Sequence, residues 1–106
     1  DGGTGTDTLK FSSAGETLNL TNISSSLYSG IEKIDLTGSG NNTLIATAQG
    51  VNELSSETDS LFVIGNSGDI ANVSTGWSFT NQASGYNIYS DNGATIYIDT
   101  DITLVT

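Results

Sequence analysis

Residues 2–10, Gly2-Gly3-Thr4-Gly5-Thr6-Asp7-Thr8-Leu9-Lys10, set three glycines, one acid and one large apolar residue in the order G-G-x-G-x-D-x-U-x, with Leu9 as U. Glycine reaches positive φ at no steric cost, so a glycine-rich bend can turn backbone carbonyls toward one point. Asp7 adds a hard anionic oxygen where that bend closes, and Leu9 starts a short strand in need of a core. Calcium takes roughly six to eight oxygens at about 2.3–2.6 Å, which carbonyls plus a carboxylate can supply. The pattern therefore marks Gly3, Gly5 and Asp7 as candidate metal ligands.

Two weaker copies lie further along. Thr37-Gly38-Ser39-Gly40-Asn41-Asn42-Thr43-Leu44 carries Asn42 where the acid would stand, keeping an oxygen ligand without its charge. Gly65-Asn66-Ser67-Gly68-Asp69 again follows an apolar run and ends on an acid, Asp69. Leu9 and Phe11 are echoed nine positions later by Leu18 and Leu20. A strand of about three residues and a turn of about six make half a coil of a calcium β-roll, and a plain hairpin fits the same spacing. Asp7 and Asn42 stand 35 positions apart, whereas loops that share an ion on one side of such a roll are separated by about 18. Asp7 is thus expected to draw its partner from a preceding repeat or from another acid. The candidates are Asp1 and the pair Asp99 and Asp101, which alternate with Thr100 and would point to one face of a strand. A solvated edge strand guarded by charge would explain that pair equally.

Short apolar segments bounded by Gly, Asn, Asp or Ser recur at 8–11, 17–20, 31–36, 43–47, 60–64, 69–73, 76–80, 86–90, 94–99 and 102–105, each reading as a strand. Residues 48–56 break the pattern: Val51 and Leu54, three apart among polar residues, predict one or two helical turns. Strand 43–47, this helix and strand 60–64 then form a strand–crossover–strand unit suited to parallel pairing. Asn92-Gly93 at the centre of Asp91–Ala94 predicts a tight hairpin in which Tyr89 faces Ile96 and Ile88 faces Tyr97. Trp77 and Phe79, two apart, are expected to pack on one face of it.

Asp and Glu total 12 against Lys10 and Lys33, a net charge of −10. Such a surface repels phosphate backbones and anionic lipid heads, which argues against nucleic acid and membrane insertion. Crowded carboxylates ask for a cation, and divalent metal answers that need; halophilic or solubilising acidity is the other source of such a charge. Cys, Met, Pro and His are all absent, so no disulfide framework exists and bound calcium becomes the natural clamp for a small domain. At 106 residues and 35% apolar content, one lean core fits, giving a single domain over 1–106. No apolar run approaches 18 residues, and the motif begins at once, so the chain reads as a fragment of a larger multi-domain protein.

Taken together, DGGTGTDTLKF (1–11), GIEKIDLTGSGNNTL (30–44), AQGVNELS (48–55), SLFVIGNSGD (60–69), GWSF (76–79), YNIYS (86–90) and ATIYID (94–99) resemble a module of giant RTX adhesins and related type I-secreted surface proteins of Gram-negative bacteria. The order covers nearly the whole chain and is looser over 80–86. The resemblance implies export unfolded, followed by folding at the cell surface or outside it, where calcium is plentiful and its binding adds to folding free energy. It carries metal binding onto Asp7 and the glycine loop, and less directly onto Asn42 and Asp69. With one intact repeat the chain departs from long RTX arrays. The expected fold is mainly β: short parallel β-solenoid or β-roll-like coils through residue 73 with one short helix, closed by a C-terminal antiparallel hairpin. An antiparallel β-sandwich is the alternative.

The expected function is that of a calcium-binding structural or spacer module, partnered by adjacent domains of the same chain. A carbohydrate- or peptide-binding module is the alternative: Trp77, Tyr86 or Tyr89 would stack on host or matrix sugars or proteins. Enzymatic activity is not expected, since without His or Cys a nucleophile lacks its usual base. A two-carboxylate glycosidase could draw on acids such as Asp35 and Glu53, but no spacing singles out a pair. The sequons at Asn19, Asn22, Asn41 and Asn72 arise by chance in so Asn/Thr/Ser-rich a chain.

Overall fold

The computed structural model describes residues 7–10, 15, 17–19, 30–37, 40–54, 60–73, 76–91 and 93–105. Asp1, Gly3, Gly5, Phe11, Leu20, Gly38 and Asn92, singled out above, lie outside the described residues. The chain is mainly β, with ten strands and one short helix among those residues.

Successive side chains of a strand point to opposite faces, and the apolar alternation places one of those faces in a core. β5 (Ser60–Ile64) buries Leu61 and Val63, and β9 (Ala94–Asp99) buries Ala94, Ile96 and Ile98, while the residues between them are half-buried on the other face. The first sheet runs β1 (Thr8–Lys10), β3 (Lys33–Asp35), β5, β9, β8 (Tyr86–Asp91), β7 (Ser78–Ala83). The second runs β10 (Thr103–Val105), β6 (Ile70–Val73), β4 (Thr43–Ala46), β2 (Thr17–Asn19). β1, β3, β5 and β9 are each followed by a strand of the second sheet, so the chain alternates between sheets except from β7 through β9, which stay in the first.

All pairs are parallel except β7 with β8 and β8 with β9. That pairing departs from the antiparallel sandwich held as the alternative. It also corrects the expected pairing of strand 43–47 with strand 60–64. β4 lies in the second sheet between β6 and β2, and β5 lies in the first beside β3, so the connection is a passage between sheets. The helix α1 (Ala48–Leu54) occupies that passage and sits against β9 and β5. Thr47 caps it: its hydroxyl accepts the Gly50 N–H at 3.0 Å, while Val51 N–H donates to the Thr47 carbonyl. Val51 is fully buried beneath it.

Register aligns the inward residues into rows. Leu9, Ile34, Val63 and Ile98 form one row across the first sheet, and Leu18, Leu44, Ala71 and Leu104 form one across the second. Leu9 and its nine-residue echo Leu18 thus lie in different sheets, and β1 and β2 do not pair as a hairpin.

The hairpin around Gly93 pairs Tyr89 with Ile96 and Ile88 with Tyr97, as the sequence pattern requires. A second hairpin, hidden in the sequence by the polar run Asn81-Gln82, pairs Ala83 with Tyr86. Its turn is Ser84-Gly85, both at positive φ (54° and 84°), the geometry whose backbone twist matches that of paired strands. Among the described residues no helix is long and apolar enough to cross a membrane.

A left-handed φ on Ser84 costs more than on Asn, which tolerates that region. Ser84→Asn is expected to stabilise the protein by roughly 0.5–1 kcal/mol, seen as a higher urea midpoint at unchanged slope; a lower midpoint would show that the turn is not under this strain.

Candidate functional site

The crossing points lie on two rims. The chain passes from the first sheet to the second through 36–42, 65–69 and 100–102, and returns at the opposite rim ahead of β3, β5 and β7. The candidate ligands divide between these rims. Asn42, Asp69 and Asp99 lie on the first, Asp7 on the second, because Asp7 precedes a first-sheet strand while Asn42 and Asp69 precede second-sheet strands. Asp7 and the Asp99/Asp101 pair are therefore not brought together: Asp7 stands before β1 and Asp99 at the far end of parallel β9, with β3 and β5 between.

On the first rim the polar groups satisfy one another. Asp69, fully buried, accepts the Asn42 N–H at 2.8 Å through Oδ1 and the Asn66 N–H at 2.7 Å through Oδ2. Its carbonyl accepts the Thr103 N–H, and the Asn42 carbonyl accepts the Ile70 N–H. Asn42 donates its side-chain N–H to the Leu36 carbonyl at 3.2 Å. This chain of bonds ties three successive crossings together, and gives Asp69 a turn-building role. Gly68 belongs to it: at φ 102°, any Cβ there would strike the Asn41 side chain.

Asp99 Oδ1 accepts the Asp101 N–H at 3.0 Å, and Oδ2 takes a longer bond of 3.5 Å from Gly65 N–H. β9 ends at Asp99, and Thr100 and Asp101 form a turn with Asp101 exposed. The alternation expected for Asp99 and Asp101 on one strand face does not arise, because the carboxylate of the first bends the backbone at the second.

The second rim is different. Asp7 stands one residue before the register pair Thr8 and Lys33, and so opposite Glu32. The Asp7 N–H donates to Glu32 Oε1 at 3.1 Å, and the Asp7 carbonyl accepts both the Glu32 and the Lys33 N–H at 3.1 Å. Glu32 is only 5% exposed. Asp7 Oδ2 and Glu32 Oε2 are both shut off from solvent, and neither has a hydrogen-bond partner. Buried polar atoms are nearly always paired, and buried anions far more so, so two orphaned carboxylate oxygens on adjoining residues call for a positive group. Lys10 and Lys33 do not supply it, since strand alternation puts both on the opposite face, beside Asp35.

Hard oxygen donors without partners have the chemistry that a divalent cation such as calcium takes. No cluster of three or more acidic groups occurs among the described residues, so backbone carbonyls or water would complete a shell. Glu32 escaped the sequence reading. Its signal was present in Gly30-Ile31-Glu32-Lys33-Ile34-Asp35-Leu36, where the alternation that makes Ile34 and Leu36 inward makes Glu32 inward too.

The aromatic candidates do not form one platform. Tyr86 lies edge-on to Phe62 (centroids 5.5 Å apart) and to Tyr97, which stack on each other at 4.2 Å on the outer face of the first sheet. Tyr89 and Trp77 pack against the core instead, with the largely exposed Phe79 edge-on to Tyr89. Comparison with known proteins adds no relative: no family model, curated protein or solved structure matches the chain.

Two outcomes are expected. Asp69→Asn turns an N–H donor toward the Asn66 N–H and should cost about 1–3 kcal/mol, equally in calcium and in chelator, by urea unfolding; a loss confined to calcium would instead make Asp69 a ligand. Burial raises the Asp35 carboxyl, but hydrogen bonds from the Thr37 hydroxyl and N–H, with Lys10 and Lys33 nearby, outweigh it and hold the group below its ordinary 3.8. A depressed folded-state value means that this contribution to stability is present above the ordinary value and disappears as pH falls through the lowered one. Thr37→Val should move the Asp35 titration upward in carboxyl NMR, and an unmoved titration would remove Thr37 as the cause.

Proposed function

We propose that the chain is a calcium-dependent structural module of a secreted bacterial surface protein of the RTX adhesin type. In this reading its four crossings between parallel sheets are β-roll-like solenoid coils closed by an antiparallel hairpin. The observation that carries it is the Asp7 carboxylate. Asp7 closes the glycine-rich sequence pattern 2–7, and one of its carboxylate oxygens is enclosed and without a partner. A hard divalent cation is the group that such an oxygen and a net charge of −10 both ask for.

Supporting this reading, the structure is built from strands of three to six residues whose inward rows are lean in volume, so that a clamp beyond the core has something to add. The spacer role follows from the same economy, with adjacent domains of a longer surface protein as partners. The role proposed is non-catalytic, since no spacing of the acids singles out a catalytic pair. The absence of any His or Cys points the same way.

Calcium that binds the folded chain and not the unfolded one raises stability as the logarithm of its concentration over Kd. Thermal unfolding in millimolar calcium against chelator is expected to show a rise of about 5 °C or more, since each kcal/mol moves a domain of this size by about 4–8 °C. Coincident melting curves in the two buffers, with magnesium and sodium controls matched for ionic strength, would remove the calcium reading.

A further inference from the structure

We infer that Glu32 supplies the second carboxylate of the Asp7 site, so that one calcium ion fastens the first coil to the second from inside the rim; the inference rests on the calcium reading above. The argument begins from register. Leu9, Ile34, Val63 and Ile98 form an inward row, and alternation makes the row two residues earlier inward as well. That row reads Asp7, Glu32, Leu61, Ile96. Leu61 and Ile96 are fully buried in the third and fourth coils, as an apolar core requires. The first two coils place carboxylates in the same row.

Packing alone does not explain acids at those two positions, because Leu61 and Ile96 show what the row accepts. Strands in register lie about 4.8 Å apart, and two ionised carboxylates at that spacing repel strongly when water is excluded. The backbone answers half of the need: Asp7 N–H bonds Glu32 Oε1, and the Glu32 and Lys33 N–H groups bond the Asp7 carbonyl. Asp7 Oδ2 and Glu32 Oε2 remain, both enclosed and both unpartnered. A cation between them converts the repulsion into a bridge across the β1–β3 pair. Calcium suits this place better than magnesium, since it tolerates an irregular shell completed by backbone carbonyls, whereas magnesium demands near-octahedral geometry. The chemical competitor is a single proton held between the two carboxyls.

Calcium titration of the whole chain by calorimetry, with Glu32→Gln beside the unchanged protein, separates these cases. Gln keeps the shape and the acceptor for Asp7 N–H while removing the charge. The expected result is a loss of calcium affinity of about tenfold or more, together with melting in chelator at or above that of the unchanged protein, because the repulsion has gone. If the unchanged protein binds calcium and Glu32→Gln binds equally well, Glu32 is not a ligand and the calcium reading survives alone. If the unchanged protein binds none, both fall. Should the variant fail to fold, carbon-13 carboxyl resonances of the unchanged protein decide: the Glu32 signal must move on calcium addition at constant pH. A Glu32 signal that calcium does not move overturns the inference.

Discussion

Parallel pairing in register makes each inward side chain the neighbour of its counterpart on the next strand of the sheet, and the rest of this structure depends on that constraint. The row Leu9–Ile34–Val63–Ile98 has no freedom to slip, because a shift by one residue would turn Lys33 and Phe62 into the core and Ile34 and Val63 out of it. Local strands of three or four residues carry little stability of their own. They persist because each row is shared by four strands, and because α1 lays Val51 over the interior where β4 gives way to β5.

The same constraint stacks polar residues as strictly as apolar ones, and the two rims handle the result in opposite ways. At one rim Asn42, Asp69 and Thr103 follow one another across the coils, each passing a hydrogen bond to the next, so that a fully buried carboxylate is answered by backbone N–H groups. At the other rim Asp7 and Glu32 face each other with only one backbone N–H between their side chains. Charge enters the interior at both rims, and only the first completes its own bonding. This asymmetry, more than the total charge, sets the Asp7–Glu32 pair apart.

Much of this fold was legible in the sequence. Each strand found overlaps a short run marked in the sequence, and the helix was marked by Val51 and Leu54 three apart. What local pattern could not give was which strands pair. The run from β4 through α1 to β5 has the length of a crossover within one sheet, and only the need to fill two opposed rows sends it to the other sheet. The Ser84-Gly85 hairpin was obscure because β7 is exposed along its whole length and so lacks apolar alternation. For the site, the glycine pattern pointed to Asp7 but not to Glu32, since the link between them is a register 25 positions apart and no local motif encodes it. The bend that would face them, with Gly3 and Gly5, lies outside the described residues.

The position of the carboxylate pair along the stack gives it a physical role that the same pair elsewhere would lack. β8 and β7 extend the first sheet past the last strand of the second, and Tyr89 and Trp77 pack on the core at that end. β7 ends the extension as a polar edge with a register shift between Phe79 and Asn81, which hinders further strand addition. β1 and β2 bury less along their own lengths, each reading exposed, half-buried, exposed. Each of these strands orders three residues, at about 1–2 kcal/mol of backbone entropy apiece, and returns one half-buried leucine worth at most about 1.5–3 kcal/mol. Among the described residues, ladder hydrogen bonds and whatever else joins β1 to β3 must add to this. The ion proposed between Asp7 and Glu32 would act across the β1–β3 pair, where the described apolar contribution is small.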